Sequence, residues 1–246
     1  MSEIKISVLI NCYNYADYVG EAIESVIKQK RQPDELIIVD DGSTDESLEV
    51  IKEAIKGVSW ALVIEQKNQG QLAAFKTGFN EATGDILFLL DADDIYKEHH
   101  IEENLAYFTE NTDCDMLSVK PEVFGVNISE VGAFWDCDGG RIGYSALHLT
   151  AGLGVTVSSV RGLTSGLVLR AEFVKRHFVI NEMIIADWKT CADDYLLWNL
   201  AIAGACQYIN NSETFRYRIH QSNHFSNTTL STTVKKIRNA SKVGPM

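Results

Sequence analysis

Apolar and polar positions alternate between two periods along the first half of the chain. Ile4 to Ile10 forms a short apolar run of strand length, and Val19, Ala22, Ile23, Val26 and Ile27 follow at the offsets of one helical face. After Pro33 the run Leu36 to Val39 predicts a second strand. It ends in Asp40-Asp41-Gly42-Ser43-Thr44-Asp45, where Ser43 or Thr44 is placed to cap a helix running to about Ile55. Ala61 to Ile64 predicts a third strand. Leu72, Phe75, Phe79 and Ala82 mark another helical face, and Gly84-Asp85 turns into a fourth strand, Ile86 to Leu90. Strands this apolar are covered on both faces, so the pattern predicts an α/β fold, a mainly parallel twisted sheet with helices on each side.

Ligands of such sheets bind beyond the carboxyl ends of the strands. Polar clusters fall at those ends: Asn11 to Asn14, Asp40 to Asp45, and Asp91 to Asp94. They are expected to converge. The second half is less regular, with a Gly-rich and aromatic stretch from Val123 to Gly166, a helix near Ala171 to His177 and an apolar helix from about Asp194 to Ala203. One domain spanning 1–246 is expected, with a soft internal boundary near residue 120 between the regular first half and the less regular second half.

Composition narrows the partners. A formal net charge of -12 argues against a protein that holds nucleic acid by neutralising phosphates, so an anionic ligand needs local help from a metal ion, a helix N-terminus or a few placed cations. Five scattered cysteines without a CxxC pair favour neither a zinc site nor a disulfide framework, and a reducing, cytoplasmic setting is expected. The first apolar run is too short for a membrane span.

Asp91-Ala92-Asp93 sets two carboxylates on the same side of an extended segment, from which they can share a hard divalent cation. Taken together, Ile6-Ser7-Val8-Leu9-Ile10-Asn11-Cys12-Tyr13-Asn14, Ile37-Ile38-Val39-Asp40-Asp41-Gly42-Ser43-Thr44-Asp45 and Gly84-Asp85-Ile86-Leu87-Phe88-Leu89-Leu90-Asp91-Ala92-Asp93-Asp94 resemble the ordered motifs of the family 2 glycosyltransferases. The resemblance implies a GT-A fold and an inverting transfer of one sugar from a nucleotide diphosphate sugar, a UDP-sugar in the first instance, to an acceptor hydroxyl. It implies that Tyr13 stacks on the base, that Asp41 and Asn11 line the base pocket, that Asp93 binds Mn2+ or Mg2+ at the diphosphate, and that Asp91 faces the ribose.

Asn68-Gln69-Gly70-Gln71 with Lys76 resembles the family's Asn-x-Gly loop and its downstream basic residue, here Lys in place of the commoner Arg. Cys191-Ala192-Asp193-Asp194 resembles its Glu-Asp motif, with Asp at 193 for the usual Glu, and implies Asp194 as catalytic base. Phe215-Arg216-Tyr217-Arg218-Ile219-His220 resembles its Tyr-Arg-x-His segment, in which His220 completes the metal site or touches the diphosphate. Arg161 to Gly166 and Trp135, Asp136 and Asp138 are candidate acceptor-side residues. The processive synthases' Gln-x-x-Arg-Trp segment is missing, which implies single-sugar addition. The acceptor, whether saccharide, lipid-linked or protein, is open, and a lipid-linked one would require peripheral contact at the inner face of the membrane. The alternatives are a non-catalytic nucleotide-sugar-binding module and a sugar-phosphate nucleotidyltransferase. Against the latter, no Gly-rich basic loop follows the first strand.

Overall fold

A computed structural model describes residues 3–126, 139–143, 162–188 and 192–220. The elements run β1 (Ile6–Cys12), α1 (Val19–Ile27), β2 (Glu35–Asp40), α2 (Ser47–Ala54), β3 (Ala61–Glu65), α3 (Gln71–Glu81), β4 (Ile86–Asp91), β5 (Ile95–Tyr96), α4 (His100–Glu110), β6 (Met116–Gly125) and β7 (Gly140–Gly143). A 3-10 turn, Thr164–Gly166, then leads into β8 (Leu167–Arg170), α5 (Ala171–His177), α6 (Glu182–Asp187), α7 (Ala192–Ile202) and β9 (Cys206–Ile219).

All these strands join one sheet in the order β3-β2-β1-β4-β8-β6-β9-β5, with β7 paired to β9. From β3 to β4 every pairing is parallel, as the strand and helix alternation requires. Beyond β4 the sheet is mixed: β8 runs antiparallel to β4 and β6, while β6 and β9 are parallel. Residue 120 lies inside β6, so the two halves share this sheet.

The pleat divides the core in two. Ile6, Val8 and Ile10 of β1, Leu36 and Ile38 of β2, and Ile86, Phe88 and Leu90 of β4 pack with Val19, Ile23 and Val26 of α1, Ile51 of α2 and Ile101 and Phe108 of α4. The alternate residues, Leu9, Ile37, Val39, Leu87 and Leu89, face Leu72, Phe75 and Phe79 of α3, Val174 of α5 and Leu196, Leu197 and Leu200 of α7. Each fully buried Leu, Ile or Phe contributes about 1.5 to 3 kcal/mol of hydrophobic transfer, so this double-sided burial fixes strand register firmly. Register in turn aligns the strand ends, pairing Asn11 with Asp91 and Cys12 with Asp40.

One capping expectation is corrected. The helix after β2 begins at Ser47, and neither Ser43 nor Thr44 caps it. Asp45 accepts from the Ser47 amide at 3.0 Å, while Ser43 and Thr44 are drawn off to the loop after β1. The turn residues are spent joining two strand ends, and the cap position falls to Glu46, whose side chain makes no capping bond.

Candidate functional site

The loops after β1 and β2 are laced together by side chains. The Asn14 and Tyr15 amides donate to the Ser43 and Ser47 hydroxyls at 3.0 and 2.8 Å, the Ala16 amide donates to Asp45, and the Thr44 amide donates to Asn14 Oδ1 at 2.7 Å. Asn14 closes this turn at φ 59°, a left-handed conformation that Asn tolerates. The lacing displays Tyr13, 44% exposed, over the strand ends. Half-buried Asn11 sits below it, its Oδ1 atom enclosed and without a hydrogen-bond partner among the described residues.

Asp41 is only 3% exposed and organises the loop after β3. Its Oδ1 accepts from Gln66 Nε2 at 2.6 Å and the Gln69 amide at 3.0 Å, and its Oδ2 accepts from the Gly70 amide at 2.7 Å. Gln66 is itself fixed by the Thr77 hydroxyl at 2.6 Å. The adjacent Gly42 has φ 72°, and a Cβ there would lie 2.7 Å from the Asn68 amide nitrogen, so only glycine lets this loop settle against the turn. The Asn-x-Gly resemblance thus marks a loop clamped by the very acid expected to read the base.

At the end of β4, carboxylate oxygens of Asp91, Asp93 and Asp94 lie within 4.8 Å of one another. Asp93 is nearly buried, with His220 Nε2 3.0 Å from its Oδ2. His220 stacks on Tyr18 with ring centroids 4.6 Å apart. Asp94, more deeply buried, accepts from the Ser165 hydroxyl and from the Arg218 amide at 2.8 Å. Ser165 Oγ also accepts from the Asp91 amide at 3.0 Å. Arg218 reaches the Asp93 carbonyl at 2.8 Å and pairs with Glu21. Burial first, then the charge of Asp93, pushes the Asp91 and Asp94 carboxyls well above the usual carboxylate range. Crowded hard oxygen donors of this kind suit Mg2+ or Mn2+, with Asp93 at the centre of the group and Asp94 bracing the turn.

The start of α7 faces the same cluster. Asp193 is buried, its Oδ1 accepts from the Asp194 amide at 3.0 Å, and burial followed by the Asp194 charge pushes its carboxyl up to about 7. The Asp193 charge is felt at Asp91. Asp194 is half-buried and its carboxylate accepts no hydrogen bond from a described residue; burial raises its carboxyl too. Gln71, the first residue of α3, joins the two groups by donating to Asp91 Oδ1 at 3.2 Å and accepting from the Ala192 amide at 3.2 Å.

Asn11, Tyr13, Asp41, Asp91, Asp93, Asp194 and His220 therefore gather at one end of the sheet. Lys76 does not join them. It is exposed and lines a shallow groove with Phe79, Asn80, Val174, Lys175 and Phe178 on the outer side of α3. Gly166 meets the protein itself, since a Cβ there would lie 2.6 Å from the Val119 carbonyl oxygen, so its smallness serves packing against β6. Trp135, Asp136, Asp138, Arg161 and Cys191 lie outside the described residues. The sequence assigned no bracing role to Gln66, Gln71, Asp94, Ser165 or Arg218, although each lies in or beside a segment singled out above. No described helix is long and apolar enough to cross a membrane.

The model of Glycosyl transferase family 2 matches residues 7–128. An uncharacterized glycosyltransferase of Nostoc sp. is 31% identical over 227 residues, covering 90% of this chain and 66% of its own length. Among solved structures, S. aureus TarS 1-349 in complex with UDP-GlcNAc superposes with a TM-score of 0.70 at 18% identity, over 96% of this chain and 65% of that one. The Pyrobaculum calidifontis mannosyltransferase PcManGT, in complex with GDP-Man and Mn2+, superposes with a TM-score of 0.70 at 14% identity, over 100% of this chain and 66% of that one. The chain thus spans just under two thirds of each of these relatives. With the fold of the GT-A glycosyltransferases and the strand-end motifs assembled at one site, this chain belongs to glycosyl transferase family 2.

Proposed function

We propose that this protein transfers one sugar from a nucleoside diphosphate sugar to an acceptor hydroxyl with inversion at the anomeric carbon, and that a UDP-sugar is the donor. The observation that carries the reading is the placement of the Asp193-Asp194 helix start against the Asp91-Asp93 cluster, bridged by Gln71. A donor site alone needs only the strand ends; a group-transfer site needs a second carboxylate beside them.

In this reading Tyr13 stacks on the base, Asn11 lines the base pocket, and Asp41 shapes the pocket floor through the loop at residues 66–70. Asp91 faces the ribose. A divalent ion held by Asp93, with His220 alongside, would neutralise charge on the departing diphosphate. Asp194, half-buried and free of hydrogen-bond donors among the described residues, takes the acceptor hydroxyl's proton as that oxygen bonds to the anomeric carbon. The bond to the diphosphate oxygen breaks on the opposite face, and the nucleoside diphosphate leaves with the bonding pair. The N-terminus of α7 keeps the incoming acceptor near a positive dipole end.

The acceptor belongs to glycoconjugate or polysaccharide synthesis, and the setting is cytoplasmic, in keeping with Cys12 and Cys114 buried as free thiols. Asp194→Asn tests the assignment. It retains nucleotide binding while nucleoside diphosphate release from the donor falls about 100- to 10,000-fold, the range a lost general base produces. Turnover at the unmodified rate would reassign the base.

A further inference from the structure

Gln71 occupies a position that no strand-end motif explains. It opens α3 directly after a loop clamped at Asp41, and α3 lies so close to β1 that a Cβ on Gly78 would stand 2.6 Å from Leu9 Cδ2. The helix that carries Gln71 is therefore fixed at both its start and its middle. From this fixed base the side-chain amide spans two separate elements, donating from Nε2 to Asp91 Oδ1 at 3.2 Å and accepting at Oε1 from the Ala192 amide at 3.2 Å. Ala192 is the first residue of α7, whose next two residues are Asp193 and Asp194.

An amide combines one acceptor oxygen with two donors at its tip, a combination that carboxylates, ammonium groups and thioethers do not offer. Asn would fall one methylene short. Each Gln71 bond holds a group that is otherwise hard to place: Asp91 is crowded by like charge, and the Ala192 amide is one of the orphan donors at a helix start.

We infer that Gln71 is a positioning residue that sets the N-terminus of α7, and with it the Asp193-Asp194 pair, at a fixed offset from the donor-binding carboxylates. This rests on the transferase reading above, and it adds a dependence of turnover on a side chain that touches neither the metal nor the base. Misplacing a reacting group by an ångström lowers rate more than affinity, so the two bonds of Gln71 have separable consequences. The Ala192 bond governs turnover. The Asp91 bond governs donor affinity.

The test uses the full chain with UDP-GlcNAc and GDP-mannose as probe donors and Mn2+, following nucleoside diphosphate release with water as acceptor, alongside calorimetric binding of UDP and GDP. Gln71→Met keeps the length and removes both bonds. At saturating donor its release rate falls about tenfold or more through loss of the Ala192 bond, and loss of the Asp91 bond weakens nucleotide affinity by a smaller factor, about threefold. Gln71→Glu keeps an acceptor for the Ala192 amide but sets a further carboxylate beside Asp91. It recovers most of the saturated rate and shows a raised KM for the donor.

Thermal unfolding of both variants identifies any loss of fold, and if the Met variant is unfolded the rate and KM split of the Glu variant still decides. A Met variant that turns over at the unmodified rate, or a Glu variant as slow as the Met variant at saturation, overturns the inference. An unmodified chain that neither binds a nucleotide nor hydrolyses a donor overturns the transferase reading, and this inference with it.

Discussion

Asp41→Asn separates two roles that fall on one side chain. The Asp41 carboxylate is buried and accepts three hydrogen bonds, from Gln66 Nε2 at 2.6 Å, the Gln69 amide at 3.0 Å and the Gly70 amide at 2.7 Å. Asn offers one oxygen, so an NH2 group must face a neighbouring donor on the other side. A hydrogen bond to a charged group contributes about 1.5 to 3 kcal/mol, and loss of one such bond with weakening of a second lowers the local opening free energy of the loop by about 3 kcal/mol. At 1.4 kcal/mol per factor of ten, the Gln69 and Gly70 amides exchange hydrogen about 100-fold faster. The assay is native-state amide exchange at neutral pH. The Asp41 amide, bonded to the Cys12 carbonyl at 2.9 Å, is the internal control and stays protected. If Gln69 and Gly70 exchange at the unmodified rate, Asp41 does not hold this loop.

Other perturbations address the remaining supports. In a cycle of Ser165→Ala, Asp94→Asn and the double variant, urea unfolding shows a coupling of about 1.5 to 3 kcal/mol, because the Ser165 hydroxyl donates to a buried carboxylate; additive effects would contradict that bond. Gly166→Ala lowers stability by about 1 to 3 kcal/mol with an unchanged m-value, since the new Cβ meets the Val119 carbonyl oxygen at 2.6 Å; an unshifted midpoint would show that β6 yields. His100 is buried against Tyr96 and its imidazole is pushed down to about 3 by burial, so it stays neutral in the folded protein while the unfolded chain protonates near pH 6.5. Its contribution is present above about pH 6.5 and is lost as pH falls toward the folded value, amounting to about 2 kcal/mol by pH 5. His100→Gln flattens that part of the pH dependence of unfolding, and an unchanged profile between pH 7 and pH 5 would contradict the assignment.

The parallel half of the fold was legible because its strands are apolar on both faces and its helices keep one period. Val19, Ala22, Ile23 and Val26 are buried on α1 as their spacing requires, and Ala171 to His177 forms α5. The mixed half was not legible in the same way. The antiparallel entry of β8 between β4 and β6 depends on pairing across long sequence separations, and no local period encodes it. Aspartates at strand ends can be read from sequence, since a strand must stop where its side chains turn polar. What those aspartates are bonded to cannot. Asp41 reads as a ligand contact, and the loop of its own chain that it also holds is not written beside it; Ser43 and Thr44 read as caps but bond across to Asn14. Lys76 lies on the outer side of α3 because five residues along a helix rotate a side chain well away from Gln71 at its start. Gln71, Ser165 and Arg218 escaped notice because a neutral or cationic side chain that braces a carboxylate carries no pattern until its partner's position is known.

In the proposed function the strand-end cluster binds a nucleoside diphosphate through a divalent cation. Calorimetry of UDP, GDP, dTDP and ADP, with and without Mn2+, tests it most directly, with the tightest case repeated in Asp93→Ala. The expected result is binding of one nucleotide, UDP first among them, that requires Mn2+ and is lost in the variant. No binding of any nucleotide, or binding indifferent to both the ion and Asp93, would contradict it.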